Sequence, residues 1–408
     1  MNVVITPTYL AGELRAIPSK SQAHRLLICA ALADRPTTLE CPSLNLDIQA
    51  TANCLLALGA GVEYRRGAFR VTPIRQAPAG IQLNCGESGS TLRFLLPVVC
   101  ALGAEGKFVL RGRLPDRPLS PLWEELERHG AVLDRPSWDT LSFSGRLRSG
   151  EYSIPGNVSS QYISGLLFGL PLLMGDSSLK PTGTLESAGY VEMTKQAQAL
   201  FGIRWAGTRA GEAWKCVSDR RYVSPGNARV EGDWSGASFW LAANALSAGR
   251  IRVTGLDPAS AQGDRAAAAL IPRIRQGGAV IDCGDIPDLV PPLAAVAAAT
   301  PGETRFVNAG RLRLKESDRL RSVSAMLNAL GAKTEELPDA LIIRGSDSLR
   351  GGTVDSANDH RIAMSAAVAA IACRGPVTVL GAEAVEKSYP AFWADYRRLG
   401  GMVQEVGR

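Results

Sequence analysis

Apolar residues along this chain change period again and again. A stretch with apolar positions three and four residues apart, which marks one face of a helix, ends at a glycine. Alternating apolar and polar residues, which mark a half-buried strand, then follow. The phrase occurs six times. The spacing predicts helix 52–59 with strands 62–65 and 69–72, then helix 122–129, Gly130 and strands 131–134 and 140–144. Helix 193–201, Gly202 and strands 203–206 and 213–218 form the third copy. The fourth is helix 269–277, Gly278 and strand 279–283, and the fifth is helix 323–330, Gly331 and strands 332–335 and 340–344. Helix 392–400, Gly401 and strand 402–406 close the series. Each glycine is placed to end its helix.

These junctions recur roughly 70 residues apart, with one interval near 50. That period suits a βαβαββ unit and is too long for a short solenoid repeat. Six such units predict an α/β (α+β) protein of two similar domains, three units each. The segments 242–245 and 294–299, rich in small residues, read as central helices packed closely against sheets. Near the midpoint, strand 229–231 runs into Gly232-Asp233-Trp234-Ser235, and strand 13–17 runs into Pro18-Ser19-Lys20-Ser21 in the same manner. The chain is expected to cross between domains at both points. The N-terminal three-repeat domain is then 18–230, and residues 1–17 join 231–408 in the second.

Composition narrows the classes. The 408 residues are 46% hydrophobic and 21% charged, enough for large cores. Forty-five basic and 39 acidic residues leave a net charge of +6, and no basic run reads as a nucleic-acid arm. Aromatics at 6% argue against a base-stacking platform. Eight cysteines include no CxxC pair, so reduced thiols in a cytoplasm are expected rather than a metal or disulfide framework. No apolar run is long enough for a membrane span, and no N-terminal secretion signal is read.

Polar clusters stand just before apolar helices. Pro18-Ser19-Lys20-Ser21-Gln22-Ala23-His24-Arg25 precedes 26–32, with Ser19 or Ser21 able to cap. Gly86-Glu87-Ser88-Gly89-Ser90-Thr91-Leu92-Arg93 opens 92–101, with Ser90 or Thr91 as the expected cap. Helix starts expose backbone N–H groups that suit phosphate. Leu114-Pro115-Asp116-Arg117-Pro118 holds an arginine between rigid elements, and Ser159-Ser160-Gln161 precedes 163–174. Further on come Ile286-Pro287-Asp288, Leu314-Lys315-Glu316-Ser317-Asp318-Arg319, Asn358-Asp359-His360-Arg361 and Lys387-Ser388-Tyr389-Pro390. Singly each is an ordinary helix start. Together they describe a site for small phosphorylated anions, lined by Lys, Arg and helix N-termini.

In this order and over essentially the whole chain, the clusters resemble the 5-enolpyruvylshikimate-3-phosphate synthases of the enolpyruvyl transferase family. The resemblance implies two domains of three βαβαββ units, an inside-out α/β barrel, with the active site in the interdomain cleft. It implies transfer of the enolpyruvyl group of phosphoenolpyruvate to the 5-hydroxyl of shikimate 3-phosphate, without metal or cofactor, in a cytoplasmic monomer. Lys20 would touch both substrates. Ser21, Arg25, Ser159, Ser160, Gln161, Ser187, Tyr190, Asp288 and Lys315 would bind shikimate 3-phosphate. Gly89, Ser90, Arg117, Gln161, Arg319, Arg361 and Lys387 would hold phosphoenolpyruvate, with Arg93 and His360 in support. Sensitivity to glyphosate is a family property compatible with Gly89.

The chemistry explains the residue types. The enol methylene must be protonated and the hydroxyl deprotonated, and elimination then reverses the proton flow. Asp288 is assigned to the hydroxyl, and Glu316 to the methylene with Lys20 assisting, while Lys315 is an alternative for the elimination. The cations offset the repulsion of two anions lying side by side. Departures from the family pattern are Glu87, Arg311 and the pair Ala188-Gly189. The rival readings are the sister transferase that uses a UDP-amino sugar, whose reactive Cys is missing from the 114–118 loop, and a non-catalytic phosphometabolite-binding protein. The latter has no need of the Asp288 and Glu316 pair.

Overall fold

A computed structural model describes residues 1–207, 211–217 and 221–407. They divide into two compact units, Lys20–Val230 and Met1–Ser19 with Glu231–Arg408.

The Lys20–Val230 unit carries three four-stranded sheets. In one, Ile81–Gly86 pairs parallel with Gly106–Leu110, which pairs antiparallel with Thr140–Gly145, and Ala131–Ser137 lies at the edge. The sheet of Glu151–Pro155, Ser178–Thr182, Trp214–Cys216 and Trp205–Ala206 follows the same rule. Ser218, the predicted end of its third strand, lies outside the described residues. The remaining sheet is permuted: Asn227–Arg229, last in the unit, supplies the parallel partner of Thr37–Glu40. Each parallel pair needs a crossover helix. These helices form the core, and the sheets lie outside them. Gly89–Leu102 and Ser160–Gly169 are buried along nearly their whole length. They approach closely because a Cβ on Gly165 would stand 2.2 Å from the Arg93 carbonyl, and one on Gly169 2.9 Å from that of Pro97.

The second unit has two four-stranded sheets and one pair. In the terminal sheet, Asn2–Thr6 fills the inner hairpin position between Val377–Leu380 and Met402–Val406. The pair is Gly12–Arg15 with Ile251–Thr254, parallel. Here the structure corrects the fourth repeat. Strand Val280–Asp282 does not close that unit; it pairs parallel with Gly302–Val307 and opens the next sheet, so this unit lacks its hairpin. The small-residue helices Trp234–Leu246 and Val290–Ala298, with His360–Ala370, pack on one another, since alanine faces let helix axes approach, and each also packs on a strand: Ile251–Thr254, Ala340–Gly345 and Val377–Leu380 respectively. Pro291 and Pro292 fit in Val290–Ala298 because the first-turn N–H groups have no helical partner anyway.

The junction glycines behave as their positions require, with positive φ at Gly59, Gly130, Gly202, Gly278, Gly331 and, one residue before the predicted position, Gly400. Gly278 has φ +118°, and a Cβ there would stand 2.3 Å from the Glu303 carbonyl oxygen. Gly278→Ala should therefore destabilise this unit by more than about 1 kcal/mol. Urea unfolding would check it, and an unchanged midpoint would refute the steric account.

Candidate active site

In the Met1–Ser19/Glu231–Arg408 unit, one guanidinium organises the candidates. Arg319 opens helix Arg319–Ala329 and is 1% exposed. Its Nη1 donates to Asp288 Oδ1 at 2.7 Å, its Nη2 to Glu316 Oε2 at 2.5 Å and its Nε to Asp359 Oδ2 at 2.8 Å. Asp288 lies in the turn Pro287–Leu289, just before helix Val290–Ala298, whose N-cap position is Leu289. Its second oxygen is 3.2 Å from Arg361 Nη2, and Lys315 Nζ stands 3.6 Å from the first. Arg361 also donates to the Asp288 carbonyl at 2.9 Å and to Ser235 Oγ at 2.7 Å. Asp359 caps helix His360–Ala370 and accepts from Ser317 Oγ at 3.0 Å. Lys387 Nζ donates to the carbonyl of Asn358 at 2.6 Å, and His360 is buried beside Asp359. Thus Asp288, Lys315, Glu316, Arg319 and Arg361 come together directly, with Lys387 and His360 on the adjoining turn.

Burial opposes ionisation of Asp288, but Arg361, Lys315 and Arg319 more than offset it and hold the carboxyl well below its ordinary range. Burial acts the other way on Lys315, and the nearby Asp288 offsets this in part, leaving the ammonium at about 8. Arg319 is held firmly protonated: its burial is outweighed by Asp359, Glu316 and Asp288.

The Lys20–Val230 unit gathers its candidates in two linked groups. Ser88, not Ser90 or Thr91, caps helix Gly89–Leu102. Gly89 lies under two arginines: a Cβ there would meet Arg117 Nη1 and Arg93 Nη1, each at 2.7 Å. Gln161 joins the two helix starts, donating to Ser90 Oγ at 2.9 Å and accepting from Arg93 Nη1 at 2.9 Å. Ser159 caps the second of these helices, Ser160–Gly169. The other group begins with Lys20, the first residue of helix Lys20–Leu32; its Nζ donates to Asp47 Oδ2 at 2.7 Å. Arg25, 2% exposed, is a staple: Nε donates to Thr194 Oγ1 at 2.8 Å, Nη2 to the Tyr190 carbonyl at 2.8 Å and Nη1 to the Ser21 carbonyl at 2.6 Å. Ser187, with φ 55°, stands at the start of helix Ala188–Leu200, which carries Tyr190.

Sequence reasoning gave no site role to Asp47, Ser235 or Thr194, because each acts on a partner distant in the chain. Asp359 was visible only as part of a motif. Among the described residues, no group of three His, Cys, Asp or Glu side chains is placed to hold a metal ion, and no helix is long and apolar enough to cross a membrane.

The sequence model of EPSP synthase (3-phosphoshikimate 1-carboxyvinyltransferase) matches residues 4–396. A 3-phosphoshikimate 1-carboxyvinyltransferase of Clostridium acetobutylicum is 40% identical, with 99% of each chain covered. One from Clostridium kluyveri is 39% identical, covering 99% of this chain and 98% of the relative. Among solved structures, EPSP synthase from Acinetobacter baumannii superposes with a TM-score of 0.81 at 22% identity, over 100% of both chains. The enolpyruvyl transferase NikO from Streptomyces tendae gives 0.76 at 18%, over 99% of this chain and 98% of that one. These two likenesses are of fold.

Arg319→Met would leave Asp359, 0% exposed, and its two neighbours without their shared cation. A loss of about 3–5 kcal/mol is expected at pH 7. The wild-type carboxyls, held low, contribute stability above their usual range and lose it as pH falls. Without Arg319 the buried carboxylates should take up protons early, so the gap between the two proteins should narrow towards pH 4. Denaturant titrations across that range test this; a gap constant with pH would show that packing, not charge, sets the loss.

Proposed function

This chain belongs to the EPSP synthase family, and on that premise we propose how its side chains carry out the family's reaction. The enolpyruvyl group passes from phosphoenolpyruvate to the 5-hydroxyl of shikimate 3-phosphate, and phosphate leaves. In the addition, the methylene carbon gains a proton, the hydroxyl loses one, and the new C–O bond forms a tetrahedral ketal. In the elimination, the methyl loses a proton and the C–O bond to phosphate breaks.

The observation that carries the assignment is the position of Asp288 among Lys315, Arg319 and Arg361. In this arrangement its carboxylate is ionised but weakly basic. Phosphoenolpyruvate brings a carboxylate that competes for Arg361 and Arg319. Drawing those cations off Asp288 raises its proton affinity, and it takes the proton of the 5-hydroxyl. Glu316 exchanges the proton at the methylene, with Lys20 assisting. Lys315, at about 8, is close enough to neutrality to pass a proton during elimination.

Binding divides in the same way. Gly89, Ser90, Arg117, Gln161 and Lys20 hold phosphoenolpyruvate, with Arg361, Arg319 and Lys387 on its carboxylate and phosphate. Shikimate 3-phosphate is bound by Lys20, Ser21, Arg25, Ser159, Ser160, Gln161, Ser187, Tyr190, Asp288 and Lys315. Arg93 supports the first set through Gln161, and Arg25 acts on the second chiefly by holding Ser21 and Tyr190. His360 supports the turn that carries Arg361. The protein works as a cytoplasmic monomer.

Phosphate release from phosphoenolpyruvate should depend on shikimate 3-phosphate and need no added metal. Asp288→Ala and Glu316→Ala should each lower turnover by roughly 10²–10⁴-fold while binding of either substrate, measured calorimetrically, largely survives. Turnover near wild type in either variant removes that residue from the proton-transfer scheme. Light scattering should return the single-chain mass of 43.2 kDa, and a multiple of it would overturn the monomer.

A further inference from the structure

Two helices of the Lys20–Val230 unit meet in polar register. Helix Lys20–Leu32 presents Lys20 and, one turn on, His24; helix Leu46–Ala57 presents Asp47 and, one turn on, Thr51. Lys20 meets Asp47 at 2.7 Å, and His24 Nδ1 meets Thr51 Oγ1 at 2.7 Å. The second rung continues into a third helix. Thr51 Oγ1 is 2.6 Å from Thr91 Oγ1, which donates to Ser88 Oγ at 2.8 Å. Ser88 Oγ also accepts from the Thr91 N–H and so caps helix Gly89–Leu102.

Proton counting gives this chain a direction. Each hydroxyl has one proton. That of Thr91 goes to Ser88, so Thr51 donates to Thr91, and His24 Nδ1 must carry the proton given to Thr51. The ring is then neutral with Nε2 unprotonated, and Nε2 has no hydrogen-bond partner among the described residues. Burial, followed by Lys20 and Arg25, holds the imidazole well below its ordinary range, in keeping with that neutral form. His24, Thr51 and Thr91 are fully buried and Ser88 is 1% exposed, so water does not compete along the relay. A core built for packing alone has no reason to bury an imidazole with one nitrogen idle, at a cost comparable to a lost hydrogen bond. What the imidazole supplies is a rigid donor at the Nδ1 position.

We propose that His24, Thr51 and Thr91 are positioning residues that fix the Ser88 hydroxyl and, through it, aim the start of helix Gly89–Leu102 at phosphoenolpyruvate in register with Lys20. This rests on the reading that the Ser88–Ser90 turn holds phosphoenolpyruvate. His24 touches no substrate. It acts through two hydroxyls on a cap, and the Lys20–Asp47 rung one turn away ties the same pair of helices to the residue assigned to both substrates.

The test compares steady-state constants with thermal stability. Thr51→Val keeps the shape and removes the link. The KM for phosphoenolpyruvate should rise roughly tenfold, the effect of one mis-set hydrogen bond, while kcat and the KM for shikimate 3-phosphate stay within about twofold. Thr51→Ser, which keeps the hydroxyl, should restore the wild-type value. His24→Asn places a donor near the Nδ1 position and should also hold the constant, whereas His24→Gln reaches towards Nε2 and should raise it. That pair carries the test if Thr51→Val does not fold. Gly89→Ala is the control for the underlying reading, since its Cβ would displace Arg117 and Arg93. If Gly89→Ala raises the phosphoenolpyruvate KM and Thr51→Val and His24→Gln do not, the relay is overturned and the loop reading stands. If Gly89→Ala leaves that KM unchanged, the loop reading fails and takes the relay's target with it. A fall in kcat and a rise in both KM values that track the loss in melting temperature would reduce the relay to structural support.

Discussion

Gathering positive charge where two anions must lie side by side is the constraint on which much of this molecule turns. Arg319 meets it in one step. A guanidinium at 1% exposure is costly to desolvate, and three carboxylates offset that cost. These carboxylates come from three different helix starts: Asp288 before Val290–Ala298, Glu316 before Arg319–Ala329, and Asp359 at the cap of His360–Ala370. Helix N-termini carry partial positive charge, so acids placed there are favoured twice, by the dipole and by the arginine. The ion cluster therefore joins three central helices at their working ends, and Lys315, Arg319 and Arg361 stand against Asp288, Glu316 and Asp359 in equal number. In the proposed mechanism an incoming anion does not meet bare cations but exchanges places with acids already there.

The other unit sets its cations, Lys20, Arg93 and Arg117, among neutral groups. Its helix starts are brought together by Gly165 and Gly169 against Arg93 and Pro97, where any side chain would collide with backbone. Hydroxyls, an amide and backbone N–H groups then line the approach, with Gln161 spanning two helix starts and Arg25 spent on carbonyls and a hydroxyl. Neutral donors held by packing need no counter-charge, and Lys20 is matched by Asp47. The two units share an architecture and differ in how their polar ends are stabilised.

Much of this was legible in the chain because helix starts and ends are written locally. The period change at each glycine and the polar cluster before each apolar stretch lie within a dozen residues, and the positive φ at Gly59, Gly130, Gly202 and Gly331 follows from where they stand. What could not be read was what depends on partners far apart in sequence. Ser88 rather than Ser90 is the cap because the helix begins at Gly89, and the Ser88 hydroxyl accepts from Thr91, whose own partner Thr51 lies 40 residues away. Lys20 pairs with an acid 27 residues away, and Arg25 with Thr194, 169 residues away. The missing hairpin after Ala267–Arg275 was misread for a related reason: Val280–Asp282 has the alternation of any strand, and only its parallel partner Gly302–Val307 shows that it begins a sheet.

A base surrounded by cations looks poorly suited to its task, and the proposed chemistry turns on why it is not. A carboxylate whose proton affinity is depressed cannot take a hydroxyl proton efficiently. That depression has identifiable sources, Arg361, Lys315 and Arg319, working against a burial that by itself would raise the affinity. Removing part of the cationic field therefore does not merely return Asp288 to an ordinary carboxylate; the burial remains, and carries it further in the basic direction. In the proposed chemistry the carboxylate of phosphoenolpyruvate is the agent that draws the arginines away. Basicity at Asp288 then depends on the presence of the second substrate, and proton transfer is confined to the state in which a carbon electrophile is there to be attacked.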